Sequence, residues 1–480
     1  MESKELNSGA NDYNRREFIQ NAASFGAMMA LMGAVPLHAE EKNAESGETD
    51  YITAPTPMNC AVIGCGAWGR EILHTLSLCE YRPKNLPAVA LAPVVAICDN
   101  YEGAFRRAKE AAPNAETFTD FHKLLEKKEV QGVIVATPSH LHREIVEAAL
   151  AAGKHVYCEA PLASSVEDAR AIAKAAKAAV KLNFQTGLQM RADSGRHFLL
   201  PFIRSGACGK NVYARSQWHR KDSWLRPAPN PERAKALNWR LHAATSSGLL
   251  GEAGIHQMDL INWMLNRRPT AISGSSRTAL WTDDDRDVAD TVHAVYEYAD
   301  GMNYFQHCTL ANSFDSSYEV LYGTDSAVMM RTDPKDQVNR QWLFKEVDSP
   351  LLGWEVYARK EQFYQETGIT LMAGASKLSQ VAKPGQALPP EVTSLQKSLT
   401  AFIANSGTIG RGVVNFFGTY GEDADTDALP EYLAGLTKCK DYLHAPNWKD
   451  GLEATVIALK ANEAVSKGQR IVLQKEWFEV

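Results

Sequence analysis

The sequence predicts a doubly wound parallel α/β domain followed by an α+β domain with an open, mainly antiparallel sheet. Three observations carry this. From Met58 onward, short apolar β-like runs alternate with helical segments. A glycine-rich turn, Gly64-Cys65-Gly66-Ala67-Trp68-Gly69, joins the first run to the first helix. Beyond Gly187 the pattern changes to alternating strands with hairpin signals such as Asp300-Gly301.

Ahead of the fold stands a segment that reads as an address. Arg15-Arg16 precede an apolar stretch, Ala22 to Val35, too short to span a bilayer. This is the pattern of a twin-arginine export signal over residues 1–39, followed by a linker over 40–57; it predicts recognition by the twin-arginine export machinery and a periplasmic or otherwise exported protein. With 480 residues, 45% of them hydrophobic and 22% charged, the remainder is long enough for two cored domains. A net charge of -6 without a basic run argues against a nucleic-acid partner. The cysteines show no paired CxxC spacing, so no metal site is expected, and disulfides stay open.

The predicted strands of the first domain run from Asn59 to Ile63, Pro93 to Cys98, Gly132 to Ala136, His155 to Cys158 and Lys181 to Gln185. Predicted helices lie between them, from Ala67 to Leu78, Gly103 to Ala112, His140 to Ala152 and Val166 to Ala179. In that strand–turn–helix context the glycine motif is a dinucleotide fingerprint, which makes this a Rossmann domain over residues 58–187. Gly64 permits the tight turn, Gly66 admits a pyrophosphate, Gly69 lets the helix approach the strand, and Ala67 and Trp68 open the helix whose N–H groups face the phosphates. Asp99 ends the second strand, where a carboxylate accepts from ribose hydroxyls and repels a 2′-phosphate; this favours NAD over NADP. The interval to Asp99 is longer than usual because of a proline-bearing loop, Arg82 to Pro93.

Two further strand ends, Val133 to His142 with its Thr137-Pro138 step and Gly153 to Leu162 with Glu159-Ala160-Pro161, resemble the Gfo/Idh/MocA oxidoreductase family when taken with the glycine motif and Asp99. The resemblance runs from Met58 to about Tyr322 and again from Lys449 to Ile471. It implies a Rossmann domain followed by a substrate and oligomerisation domain, here residues 188–480, and a homo-oligomer formed sheet to sheet. It also implies that Thr137, Pro138 and His142 lie against the cofactor, with Ser139 where asparagine is usual. Glu159 and Pro161 match the outer members of a Glu-Lys-Pro motif. Ala160 stands in place of the lysine that moves a proton in the family's sugar dehydrogenases, so that role must fall elsewhere.

In the second domain, Gln189 and Arg191 follow the last Rossmann strand, and the strand Val212 to Arg220 carries Trp218 and Arg220 on one face. With Trp239 and Arg240 these rings and donors suit a carbohydrate, whose C–H face stacks while its hydroxyls hydrogen-bond. If Ser247 to Leu265 is helical, Glu252, His256 and Asp259 lie at i, i+4 and i+7 on one face. An imidazole oriented by carboxylates is a general acid/base constellation. The stretch resembles the family's DxGxHxxD signature, with Glu252 where aspartate is usual. That resemblance makes His256 the base for a substrate hydroxyl. Residues 333–430 carry no assignable motif and read as an insertion that caps the site or an interface.

The expected function is that of an exported NAD-dependent oxidoreductase acting on a carbohydrate secondary alcohol with tightly bound NAD. Two alternatives accompany it. One is an NAD-dependent glycoside hydrolase running oxidation, elimination, hydration and re-reduction as a closed cycle; the other is a non-catalytic sugar-binding protein.

Overall fold

A computed structural model describes residues 56–81, 89–332, 339–347, 359–363, 366–370, 392–421, 424, 426–438 and 442–480. The predicted export signal and all but the last two residues of the linker lie outside the described residues.

The first domain is built on six parallel strands. β1 (Cys60–Ile63) is buried on both faces, as its unbroken Cys-Ala-Val-Ile run requires of a central parallel strand. It pairs with β2 (Val94–Cys98) on one side and β4 (Gly132–Val135) on the other; β3 (Glu116–Phe118), β5 (His155–Cys158) and β6 (Phe184–Thr186) complete the order β3-β2-β1-β4-β5-β6. Strand order reverses at β1, so a crevice opens at its carboxyl end, beneath the turn into α1 (Ala67–Ser77). Gly64 adopts φ +100°, and a Cβ on Gly69 would collide with the Gly64 carbonyl. Both glycines are therefore required by the turn. α2 (His142–Ala151) and α3 (Val166–Ala178) follow their strands, and Ser165 caps α3 by accepting from the Asp168 N–H.

Two predicted elements shrink. The helix expected from Gly103 to Ala112 reduces to a 3₁₀ turn, Glu102–Ala104, and one α turn, Phe105–Ala108. The last strand starts at Phe184 rather than Lys181, because the Asn183 N–H is taken by His155 Nδ1.

The second domain carries a mixed sheet of ten strands. In chain order these are β7 (Asn211–His219), β8 (Ala271–Arg277), β9 (Thr291–Glu297), β10 (Asn303–Thr309), β11 (Ser317–Gly323), β12 (Ser326–Thr332), β13 (Asn339–Lys345), β14 (Arg359–Phe363), β15 (Glu366–Thr370) and β16 (Ile471–Val472). Across the sheet they run β14-β15-β13-β12-β11-β7-β10-β9-β8-β16, and the β7–β10 pair is parallel. α4 (Ser194–Arg204), α6 (Ile255–Leu265) and α9 (Trp448–Lys467) contribute to the apolar core on one sheet face. α9, opened by an Asn447–Asp450 capping box, also contributes Leu452 and Val456 to the core of the first domain.

The described parts of the stretch read as an insertion pack into both domains. β13 to β15 extend the sheet, and α7 (Ser394–Tyr420) covers a face of the Rossmann sheet. Phe402 meets Tyr157 edge-on at 5.8 Å, and Gln185 Nε2 donates to the Ser398 carbonyl at 2.8 Å. The apolar residues of α7 serve a sheet encoded more than 200 positions earlier, so local pattern gave no reason to assign them there. A short helix, α8 (Leu429–Leu436), packs on its far end.

Candidate active site

A cleft of about 2160 Å³ runs between the domains. Its floor is the glycine turn, with Asp99, the Ala136–His142 loop and Glu159-Ala160-Pro161; its opposite wall is Gln189, Trp218, the 220–240 loop, Glu252 and His256. All the predicted cofactor residues line it except Gly69, which is buried beneath the turn against the Gly64 carbonyl.

The nucleotide end has the features that a dinucleotide needs. Nothing lies within 4 Å of where a Cβ would sit on Gly66, and α1 begins there with neither a side-chain cap nor an acid in its first turn. Its first N–H groups are left for an anion. Asp99 accepts from the Cys65 N–H at 2.8 Å and the Tyr101 N–H at 2.9 Å, which fixes the carboxylate at the strand end. Thr137 Oγ1 is buried with no hydrogen-bond partner, the condition of a group whose partner is a ligand. These residues fit a nicotinamide dinucleotide. His142 behaves otherwise than the resemblance implies: its Nε2 faces the Thr137 carbonyl at 2.9 Å and its Nδ1 faces those of Pro161 and Leu162 at 3.1 and 3.2 Å. With both ring nitrogens facing backbone carbonyls, it braces the two loops together at the edge of the cleft.

The expected acid–base–acid line is not formed. Leu250–Gly254 is a π-helical turn, and only from Ile255 does the chain become α-helical. The extra residue turns Glu252 by about 100° from the face that regular spacing assigns to it. Its Oε1 instead accepts from the Ser139 hydroxyl at 3.0 Å, the Ser247 N–H at 3.1 Å and the Ser247 hydroxyl, while Oε2 lies 3.7 Å from Arg240. Asp259 is likewise diverted, because the Arg191 guanidinium grips both its oxygens at 2.7 and 2.9 Å and reaches Asp450 at 2.7 Å. Arg191, expected to bind substrate, is thus a buried tie between α6 and the start of α9.

His256 stands without a carboxylate. Its Nδ1 is buried and unpartnered, and desolvation pushes the imidazole down to about 4, so it is neutral at physiological pH. Beside the vacated lysine position, Glu159 is buried with Oε1 unpartnered; burial pushes its carboxyl up to about 7, against hydrogen bonds from Trp68 and the Ala160 N–H. Gly187 makes room for it, since a Cβ there would collide with Oε2. Sequence reasoning placed Glu159 with the cofactor and missed this titration. Adjacency to Ala160 was the available signal; burial was not visible. Gln189 Oε1 is also buried and unpartnered.

The substrate-side residues divide. Trp218 packs half-buried on the sheet core and lines the cleft, as does the mostly exposed Arg220. Trp239 is buried, with the Arg240 guanidinium stacked over its ring at 4.3 Å. Residues 221–237, including α5 (Pro231–Leu237), were not singled out in the sequence, yet Arg233 stacks on Tyr101, two residues past Asp99, at 4.1 Å. It bridges the domains at the nucleotide end.

A glycine-turned parallel sheet facing a second-domain sheet across a cleft with buried titratable groups defines the class of two-domain dinucleotide-binding proteins. Residues 58–187 match the profile of the oxidoreductase family GFO/IDH/MocA, NAD-binding Rossmann fold, and residues 201–328 that of the GFO/IDH/MocA C-terminal domain. The chain belongs to this family. Inositol 2-dehydrogenase of Pseudomonas fluorescens is 31% identical over 209 residues, which is 44% of this chain and 55% of that protein. The Paracoccus denitrificans enzyme of the same name is 37% identical over 139 residues, covering 29% and 39%. These alignments span about half or less of the relatives' length. Among solved structures, levoglucosan dehydrogenase with NADH and levoglucosan superposes with a TM-score of 0.60 at 19% identity, covering 88% of this chain and 100% of that one. Aldose-aldose oxidoreductase from Caulobacter crescentus gives 0.58 at 16%, covering 87% and 100%. At such identities the likeness is one of fold.

Proposed function

We propose that this chain is an NAD-dependent dehydrogenase of a carbohydrate secondary alcohol, with His256 as the base. The observation that carries this reading is the buried, unpartnered, neutral imidazole of His256 in the cleft that the glycine turn floors. NAD, when bound, supplies the hydride acceptor. The residues of the chain do the rest. Gly64, Gly66, Gly69 and the N-terminus of α1 hold the pyrophosphate, and Asp99 takes the ribose hydroxyls, which selects NAD over NADP. The His256 imidazole accepts the proton of the substrate hydroxyl as its carbon loses hydride, with Gln189 beside it in the cleft wall. Glu159, near half-protonation at neutral pH, relays a proton at the position where the family's lysine is missing. The Arg233–Tyr101 stack straps the nucleotide end and retains NAD between turnovers, in keeping with export of a loaded protein through the signal at residues 1–39. Inositol and levoglucosan, which the similar dehydrogenases are named for, support a polyhydroxylated ring as substrate.

The test is purification of the full chain and its His256→Ala variant, determination of bound nicotinamide, and assay of a panel of sugars and polyols with an artificial electron acceptor. Wild type is expected to turn over at least one member and H256A to lose about 10²- to 10⁴-fold in kcat with nicotinamide content unchanged. Full activity in H256A, or absence of any NAD affinity, would overturn the assignment.

A further inference from the structure

Trp224 has no role in the chemistry above, yet the loop holds it in the cleft wall in an unusual backbone conformation. Its backbone sits at φ +60°, a left-handed conformation that a bulky side chain rarely adopts. The loop around it over-determines that conformation. The Trp224 N–H donates to Asp222 Oδ1 at 3.0 Å, and the Arg226 guanidinium closes on both Asp222 oxygens at 3.0 and 2.9 Å. Asn238 ties the Arg226 backbone from both sides, accepting its N–H at 2.6 Å and donating to its carbonyl at 3.0 Å. Arg286 donates to the Ser223 carbonyl at 2.7 Å, and the Asp222 N–H is anchored to Leu310 at the end of β10. A turn meant only to change direction would carry glycine or asparagine at that position.

The side chain so held lines the cleft, half-buried against the sheet core. The Arg240 guanidinium lies 5.9 Å from its ring centroid and 4.3 Å from that of Trp239, with Glu252 at 3.7 Å beyond. Trp218 and Arg220 share this wall. An indole beside a fixed guanidinium and a carboxylate offers what a pyranose binds: an apolar plate for its C–H face, and donors and acceptors for its hydroxyls. The cleft, at about 2160 Å³, is roughly twice the upper end of ordinary small-molecule sites, about 1,000 Å³. It has room for the dinucleotide, a ring at His256 and more.

We propose that Trp224 and Arg240 form a subsite for a second sugar ring, so that the substrate is a glycosidically linked saccharide rather than a free monosaccharide. This rests on the reading that His256 faces the ring to be oxidised. The strained backbone is then the cost of presenting the indole rigidly to that second ring.

Calorimetry on the full-length, nicotinamide-loaded protein tests it, with glucose, galactose and N-acetylglucosamine set against cellobiose, lactose and di-N-acetylchitobiose. Wild type should bind at least one disaccharide about tenfold tighter than its monosaccharide. Trp224→Ala should abolish that ratio while leaving the monosaccharide Kd within about twofold, and Trp224→Phe, which keeps a ring, should restore most of it. Nicotinamide content and Tm of each variant establish that it is folded. Equal affinity for one and two rings in wild type overturns the subsite and leaves the dehydrogenase standing. So does a loss in W224A that is the same for both. Failure of every saccharide to bind overturns the carbohydrate reading and the subsite together.

Discussion

Replacement of Glu159 by glutamine isolates a single buried proton. The native carboxyl has its ordinary value of 4.5 pushed up to about 7 by burial. An acid with a raised folded-state value holds its proton more tightly when folded. Native protein therefore binds more protons than unfolded protein between pH 4.5 and 7, and stability falls as pH rises through that window. At about 1.4 kcal/mol per pH unit, the full cost well above pH 7 is about 3.5 kcal/mol. Glutamine keeps the shape and has no charge to desolvate. Urea unfolding of apo wild type and E159Q at pH 5, 6, 7 and 8 should thus show a stability difference that grows toward the variant by about 3 kcal/mol between the extremes. Glu319, also buried and also pushed up to about 7, titrates in the same window in both proteins and cancels from the difference. A difference constant to within about 0.5 kcal/mol across the range would refute the buried-carboxyl account of Glu159.

Three other outcomes follow from the cleft. Arg191→Met leaves Asp259 and Asp450 without their shared cation, and is expected to cost about 3–5 kcal/mol in urea unfolding; a raised KM with unchanged stability would return Arg191 to the substrate. Asp99→Ala should weaken NAD about tenfold or more and narrow the preference over NADP, read by fluorescence titration of the apo protein. Arg233→Ala removes the stack on Tyr101, and should speed NADH dissociation in stopped flow with little change in the association rate.

The sequence carried the first domain well because its signals are local. A glycine fingerprint, an acid at a strand end and uninterrupted apolar runs each need only a few neighbouring residues, and β1, β2, β4 and β5 fall where those runs lie. The candidate site was legible as a set of residues and illegible as a set of partnerships. Glu252, His256 and Asp259 were placed on one α-helical face, but Gly251 and Gly254 lie within a π turn that rotates Glu252 toward Ser139 and Ser247. Asp259 and Arg191 were assigned to chemistry, yet they meet each other across 68 positions. Trp224 escaped notice because a left-handed tryptophan has no sequence signature; its conformation is imposed by Asp222, Arg226, Asn238 and Arg286.

The cover that α7 lays over the Rossmann sheet also sets an order of events in synthesis. Met58, Gly132 and Tyr157 reach their packed state only against Phe402, Leu395 and Leu399, and Gln185 gains its acceptor only at Ser398. The nucleotide domain is made well before the helix that completes it, and until some 400 residues have been made the part of its apolar sheet face beside α1 that α7 covers stays exposed. Residues 58–187 expressed alone would keep that part of the face exposed, an apolar patch that invites association until the distant helix arrives.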